Sequence, residues 1–164
     1  MSRPPSHDPL PTEGAAGAPV PPHGDGPAVA SDLTRTLTMF GGSSVIIGRA
    51  LSGPSVGPTL RAFGRQTAAW GAINLAIAAV GAARARSHPA EATRLRRTLL
   101  INAGLDVGYV AAGAHVAHHR STFGGRVAPE AARGHGLAVV TQGLGLMALD
   151  LYYARRLGPG EAAG

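Results

Sequence analysis

The 164 residues contain no cysteine and no lysine. The first absence excludes disulfides, thiolate zinc sites and cysteine nucleophiles. Aromatic residues are scarce at 4%, with one Trp, three Tyr and three Phe, which is thin for a soluble core, where rings supply much of the buried area. Catalytic signatures are missing too: no G-x-S-x-G, no H-E-x-x-H, no Walker loop and no dinucleotide fingerprint. The glycine pairs at 41–42 and 124–125 lack the strand-then-helix context of a phosphate loop. An enzyme is therefore not expected, and no cofactor is called for. All 15 basic residues are arginine and the net charge is +6. They stand between apolar stretches, without the aromatic–basic motifs of a nucleic-acid module. The expected partner is the lipid bilayer, not nucleic acid.

Glycine is abundant, 24 of 164 residues, against an average of roughly 7%. Small residues let helix backbones approach closely in lipid. Residues 1–33 are Pro-, Gly- and Ala-rich without a period and read as a disordered tail. They lack the basic-then-apolar order of a cleavable signal, so this N-terminus is expected to be retained. A helical domain over 34–156 follows, then a short tail at 157–164. Apolar segments at about 37–51, 66–83, 98–117 and 137–154 predict an all-α, four-helix transmembrane bundle. The first segment is the weakest, with Gly41, Gly42, Ser43 and Ser44 near its middle. A soluble bundle would need charged outer faces, and 66–83 has no charged residue at all. With four spans, nine arginines fall on the side of both termini and six on the other. The positive-inside rule then places both termini in the cytoplasm and the protein in the cell membrane. A faint repeat aligns Arg35-Thr36-Leu37 with Arg97-Thr98-Leu99, and the pair Gln66 and Asn74 with Gln142 and Asp150.

The candidate site is a polar seam. A carboxyl at bilayer depth costs about 2.5–3.5 kcal/mol on insertion scales, so it must face protein or water. At 100° per residue, Asn102, Asp106 and Tyr109 share one arc of the third segment with Gly113. Gln66 and Asn74 share one on the second with Trp70, and Gln142 and Asp150 one on the fourth with Tyr153. These arcs are expected to converge, because lipid leaves donors and acceptors unpaired. Asp150, near a membrane face, has Arg84 or Arg155 as candidate partners. Gly104 and Gly108 on the opposite side form a G-x-x-x-G packing face suited to another helix or to self-association. His115, His118 and His119 cluster at the end of the third segment, and His135 opens the fourth. The i,i+4 spacing of His115 and His119, with His135 close by, makes a candidate metal or haem site. The alternative is a plain interfacial role, favoured by the helix dipole.

The motifs Trp70-Gly71-x-x-Asn74, Asn102-x-x-x-Asp106-x-x-Tyr109 and Gln142-Gly143 followed by Asp150 resemble those of a bacterial family of small four-helix membrane proteins, known only as a domain of unknown function. The resemblance covers about residues 34–156 and implies four spans with the polar residues inward; it implies no activity. Three functions are therefore weighed. The first is a non-enzymatic scaffold or accessory subunit with a structural seam. The second is a proton- or ion-coupled carrier or channel component using Asp106. The third is metal or haem binding at His115, His119 and His135.

Overall fold

The computed structural model describes residues 25–158, which hold four helices and no strand. They are α1 (Gly26–Ala50), α2 (Pro58–Ala85), α3 (Ala92–His119) and α4 (Pro129–Arg156). Three open with proline in the first turn: Pro27, Pro58 and Pro129. There the missing N–H costs nothing and the fixed φ favours the helix. Each helix outruns its predicted segment, because the ends carry arginines and loop-like residues that hydropathy discounts. The largest correction is at α1. Residues 26–33, expected in the tail, form its first two turns, and Val29 is 1% exposed. Pro and Gly read there as a tail, whereas Pro27 starts a helix whose Val29 has a core to enter. The rest of the expected tail, 1–24, and residues 159–164 lie outside the described residues.

Helices α2, α3 and α4 are each 28 residues long and apolar enough to cross a membrane; α1 does not reach that hydropathy. At 1.5 Å per residue, 28 residues span about 42 Å, more than the roughly 30 Å hydrocarbon core. Helix α1 runs antiparallel to α2, α3 antiparallel to α4, and α2 packs against α4. The α1 backbone approaches α3 and α4 only briefly, and the α2 and α3 backbones do not meet.

Glycine sets the two hairpin contacts. A Cβ on Gly41 would lie 2.8 Å from the Gly71 carbonyl oxygen, and one on Gly71 would lie 2.6 Å from that of Gly41. Gly48 and Gly64 repeat the arrangement seven residues along. In the second hairpin, Gly113 and Gly136 oppose each other in the same way, and Gly143 faces Val110. The hairpins therefore match through Gly64 with Gly136 and Gly71 with Gly143. The expected register, Gln66 with Gln142, is not the packing one. Helix α2 meets α4 where Gly134 admits the Thr59 carbonyl and Ala62. Arg61 closes the α1–α2 loop by donating from Nη2 to the Pro54 and Val56 carbonyls at 2.7 and 2.8 Å.

The apolar core is confined to one end, where Val29, Leu99, Tyr153, Ala154 and Leu157 meet. Elsewhere the large aliphatics are outside: Ile46 is 72% exposed, Leu105 58% and Ile77 55%. Inside are glycine, alanine and polar side chains, with Asn74 at 1% and Gln142 at 4%. Such contiguous apolar cover is foreign to soluble monomers. It suits lipid, where helices associate by close packing and interhelical hydrogen bonds.

Candidate functional site

Seven-residue spacing brings residues to one helix face every two turns. On α2 this buries Thr67 and Asn74 with Ala78 close by. On α3 it buries Asp106 and Gly113, and on α4 Gly136, Gly143 and Asp150, with Gln142 beside them. Helix α1 adds Ser44. Six polar side chains are thus buried: Ser44, Thr67, Asn74, Asp106, Gln142 and Asp150. Gln142 Nε2 donates to Ser44 Oγ at 3.2 Å, a buried bond from α4 to α1. Thr67 Oγ1, Asn74 Nδ2, Asp106 Oδ2 and Gln142 Oε1 are buried without a protein partner. Buried polar atoms nearly always find partners, so this interior has spare donor and acceptor capacity. Asp106 from α3 and Asp150 from α4 are both buried in it.

Two further polar ties continue the Ser44–Gln142 contact towards the start of α1 and the end of α4. Tyr153 Oη and Thr36 Oγ1 are 2.7 Å apart, and Arg156 Nη1 donates to Asp32 Oδ2 at 2.9 Å. Together they form a ladder from α1 to α4. Arg156 also lies over the Tyr152 and Tyr153 rings, 6.0 and 5.5 Å from their centroids. The sequence did not place Ser44, Thr67, Thr36 or Asp32 in the seam. The available signals were Ser44 between Gly41 and Gly48, and Thr67 seven residues before Asn74.

Four of the seven predicted seam residues, Asn74, Asp106, Gln142 and Asp150, are buried. Asn102 is exposed, and Tyr109 is 46% exposed with its ring edge-on to Trp70, centroids 5.6 Å apart. The buried arc of α3 runs through Leu99, Ala103, Asp106 and Gly113, which puts Asn102 and Tyr109 on its flank. Gln66 is half-buried and sits apart from the centre, accepting at Oε1 from His135 Nδ1–H at 3.1 Å. Gln66 and His135 also line a cleft of about 330 Å³ beneath the α3–α4 loop, with Val116, Phe123 and Val139. Gly104 and Gly108 pack against nothing: no atom comes within 4 Å of a Cβ built on either. They are not contacts within this chain.

The histidines do not form the predicted ligand set. The His115 and His119 rings are close, centroids 4.4 Å apart, but exposed, and His135 turns to Gln66. Among the described residues no group of three or more His, Asp or Glu side chains is placed to hold a metal ion. Nor does Asp150 pair with Arg84 or Arg155; the ion pairs among the described residues are Arg94–Glu91 and Arg156–Asp32.

The architecture defines a class: an all-helical protein with three helices able to cross a membrane and a buried polar interior. The chain belongs to the family of unknown function DUF6992, whose sequence profile matches residues 36–151. That range takes in all six buried polar residues. No curated protein and no solved structure matches the chain.

Proposed function

We propose that this is a non-enzymatic, multi-pass protein of the cell membrane, a scaffold or accessory subunit. In this reading all four helices cross the bilayer and both termini are cytoplasmic. The observation that carries it is the ladder from α1 to α4. Helix α1 is the weakest candidate span: only Thr36–Gly48 separates Arg35 from Arg49, about 20 Å at 1.5 Å per residue. The arginines can snorkel to the interfaces, and the helix lowers its own polarity. Thr34 donates to the Ala30 carbonyl, Thr38 to that of Thr34 and Ser43 to that of Phe40, at 2.8–3.0 Å, so these hydroxyls need no outside partner. Ser44 and Thr36 instead bond α4. The seam thereby acts as the device that seats α1. The test is a set of reporter fusions at the C-terminus and after Ala83 and His119. Cytoplasmic signals for the C-terminal and Ala83 fusions and a periplasmic signal for the His119 fusion are expected. A periplasmic C-terminus would refute four spans with this orientation.

One observation favours a second reading, in which Asp106 carries a proton or a cation. Its Oδ2 is buried without a protein partner, and Asp150 shares the interior. Liposomes holding the purified protein and a trapped pH dye separate the two. A scaffold gives no flux above protein-free liposomes. Proton or proton-coupled carriage gives a flux that Asp106→Asn abolishes.

A further inference from the structure

At the end of the bundle where α1 begins and α4 ends, α1, α2 and the α2–α3 loop line a cleft of about 570 Å³. Its lining includes Arg35 from α1, Arg84 from the last turn of α2, and Arg86 and His88 from the loop, with Ser31 beside them. No acidic residue lines it. Of the acids near it, Asp32 bonds Arg156, Glu91 lies 4.0 Å from Arg94, and Asp25 stands exposed at the start of α1 outside the lining. Among the described residues Arg35, Arg84 and Arg86 make no ion pair. Three like charges around one cleft repel each other unless an anion joins them.

The cleft does not end at the charges. Through Gly81 and Arg84 it continues into an apolar groove of about 440 Å³, lined by Ile73, Ala76, Ile77 and Val80 along α2. From Arg84 to Ile73 is eleven residues, about 17 Å of helix, close to one leaflet of a roughly 30 Å hydrocarbon core. Gly81 keeps the junction open: a Cβ there would meet only Thr34 Oγ1, at 3.7 Å. A basic cleft roomy enough for a lipid headgroup, joined to an apolar groove one leaflet long, has the shape and charge of a single amphiphile.

We propose that this surface binds an anionic phospholipid, its phosphate among Arg35, Arg84 and Arg86 and an acyl chain along Ile77 and Val80. Basic pockets between membrane helices hold such headgroups by this chemistry. The site rests on the membrane reading above and deepens it: α1 and α2 would be clamped at their open end by lipid, where their glycine contacts have run out.

The test uses the full-length chain. Carbonate washing of membranes comes first, and release of the chain would overturn the membrane reading and this site with it. A retained chain is purified in detergent and offered phosphatidylglycerol and phosphatidylcholine, and bound lipid is counted by native mass spectrometry. Phosphatidylglycerol should be held at least tenfold more tightly. Removing each of Arg35, Arg84 and Arg86 should weaken it roughly fivefold, the scale of one arginine near an anionic surface. The control removes equal charge on the same side, Arg94→Ala/Arg97→Ala/Arg155→Ala, and should keep the selectivity. Gly81→Leu, which fills the junction, should lose the lipid while retaining the fold by circular dichroism. Equal retention of the two lipids would refute the site, as would an Arg94→Ala/Arg97→Ala/Arg155→Ala control as damaging as the Arg35→Ala/Arg84→Ala/Arg86→Ala triple. Competition by millimolar inorganic phosphate, with no effect of Gly81→Leu, would replace the lipid by a free anion and overturn the proposal.

Discussion

One methyl group added at Gly71 should destabilise the protein, whereas the same methyl at Gly104 should not. A Cβ at Gly71 meets the Gly41 carbonyl oxygen at 2.6 Å, the Val45 nitrogen at 2.8 Å and Ser44 Cβ at 2.9 Å. Two of these are backbone atoms that no rotamer change can move aside. Restoring an ordinary 3.4 Å contact from 2.6 Å requires α1 and α2 to part by about 0.8 Å. Overpacking of this kind costs about 1–3 kcal/mol. Alanine gains about 1 kcal/mol over glycine in helix propensity, but that gain is common to both sites and cancels in the comparison. Gly71→Ala should therefore be less stable than Gly104→Ala by about 1–3 kcal/mol. The assay is SDS-induced unfolding of the detergent-solubilised protein, followed by far-ultraviolet circular dichroism. Equal midpoints, or Gly104→Ala as the weaker variant, would refute the glycine-contact reasoning. Gly104→Ile adds a separate readout by light scattering. Loss of a dimer there would give Gly104 and Gly108 the helix-packing role that they lack within the chain.

The ladder and the loops make further predictions. A double-mutant cycle on Ser44→Ala and Gln142→Ala should return a coupling of about 0.6 kcal/mol and not much above 1.7, the measured range for interhelical hydrogen bonds in membranes; zero coupling would remove the bond. Asp32→Asn should cost under about 1 kcal/mol, because the pair with Arg156 is exposed, and 0.5 M salt should erase the difference in the same unfolding assay. Arg120 caps α3 in the left-handed conformation at φ 49° and ψ 47°. Arg120→Gly should raise stability by about 1 kcal/mol, the strain of a side chain in that region, and an unchanged midpoint would contradict it.

The existence of α2, α3 and α4 was legible because charge is absent where a soluble helix would need it, as over 66–83. Their ends were not, because Arg61, Arg94 and Arg97 sit on helical turns that a hydropathy window discards. The seam was half legible for a geometric reason. Helical periodicity defines an arc but not which arc meets the neighbouring helix. Taking Leu99 as zero and 100° per residue, Ala103 and Asp106 fall at about +40° and −20°, and Gly113 at about −40°. Asn102 and Tyr109 lie at about −60° and −80°, at the edge of the contact with α4. Gly104 and Gly108 fall at about 140° and 180°, away from every other helix. What fixes the centre of the arc is Gly136 and Gly143 on α4, information held 30 residues further along the chain. The surroundings of His135 were illegible for a similar reason: Gln66, on a helix not considered with the histidines, takes it.

The placement of small and large residues says how the two driving forces divide the work. Burial of apolar area drives a helix into lipid but contributes little between helices already there, since acyl chains are as apolar as leucine. The exposed Ile77 and Leu105, on helices apolar enough to cross a membrane, suit entry, and the glycine contacts suit association. Helix α1 is deficient in the first quantity and well supplied in the second. It carries Gly41 and Gly48 against α2, and Asp32, Thr36 and Ser44 against α4. Its window hydropathy falls short mainly through Asp32, Arg35 and Arg49, whereas the Thr36 and Ser44 hydroxyls lower it little. Arg35 and Arg49 bound its apolar stretch, Asp32 both opposes insertion and bonds α4, and Thr36 and Ser44 add bonds to α4 at little cost in hydropathy. In the proposed four-span reading α1 would enter the bilayer as part of the assembled bundle, held by the glycine contacts with α2 and the bonds to α4 that its short apolar stretch does not supply.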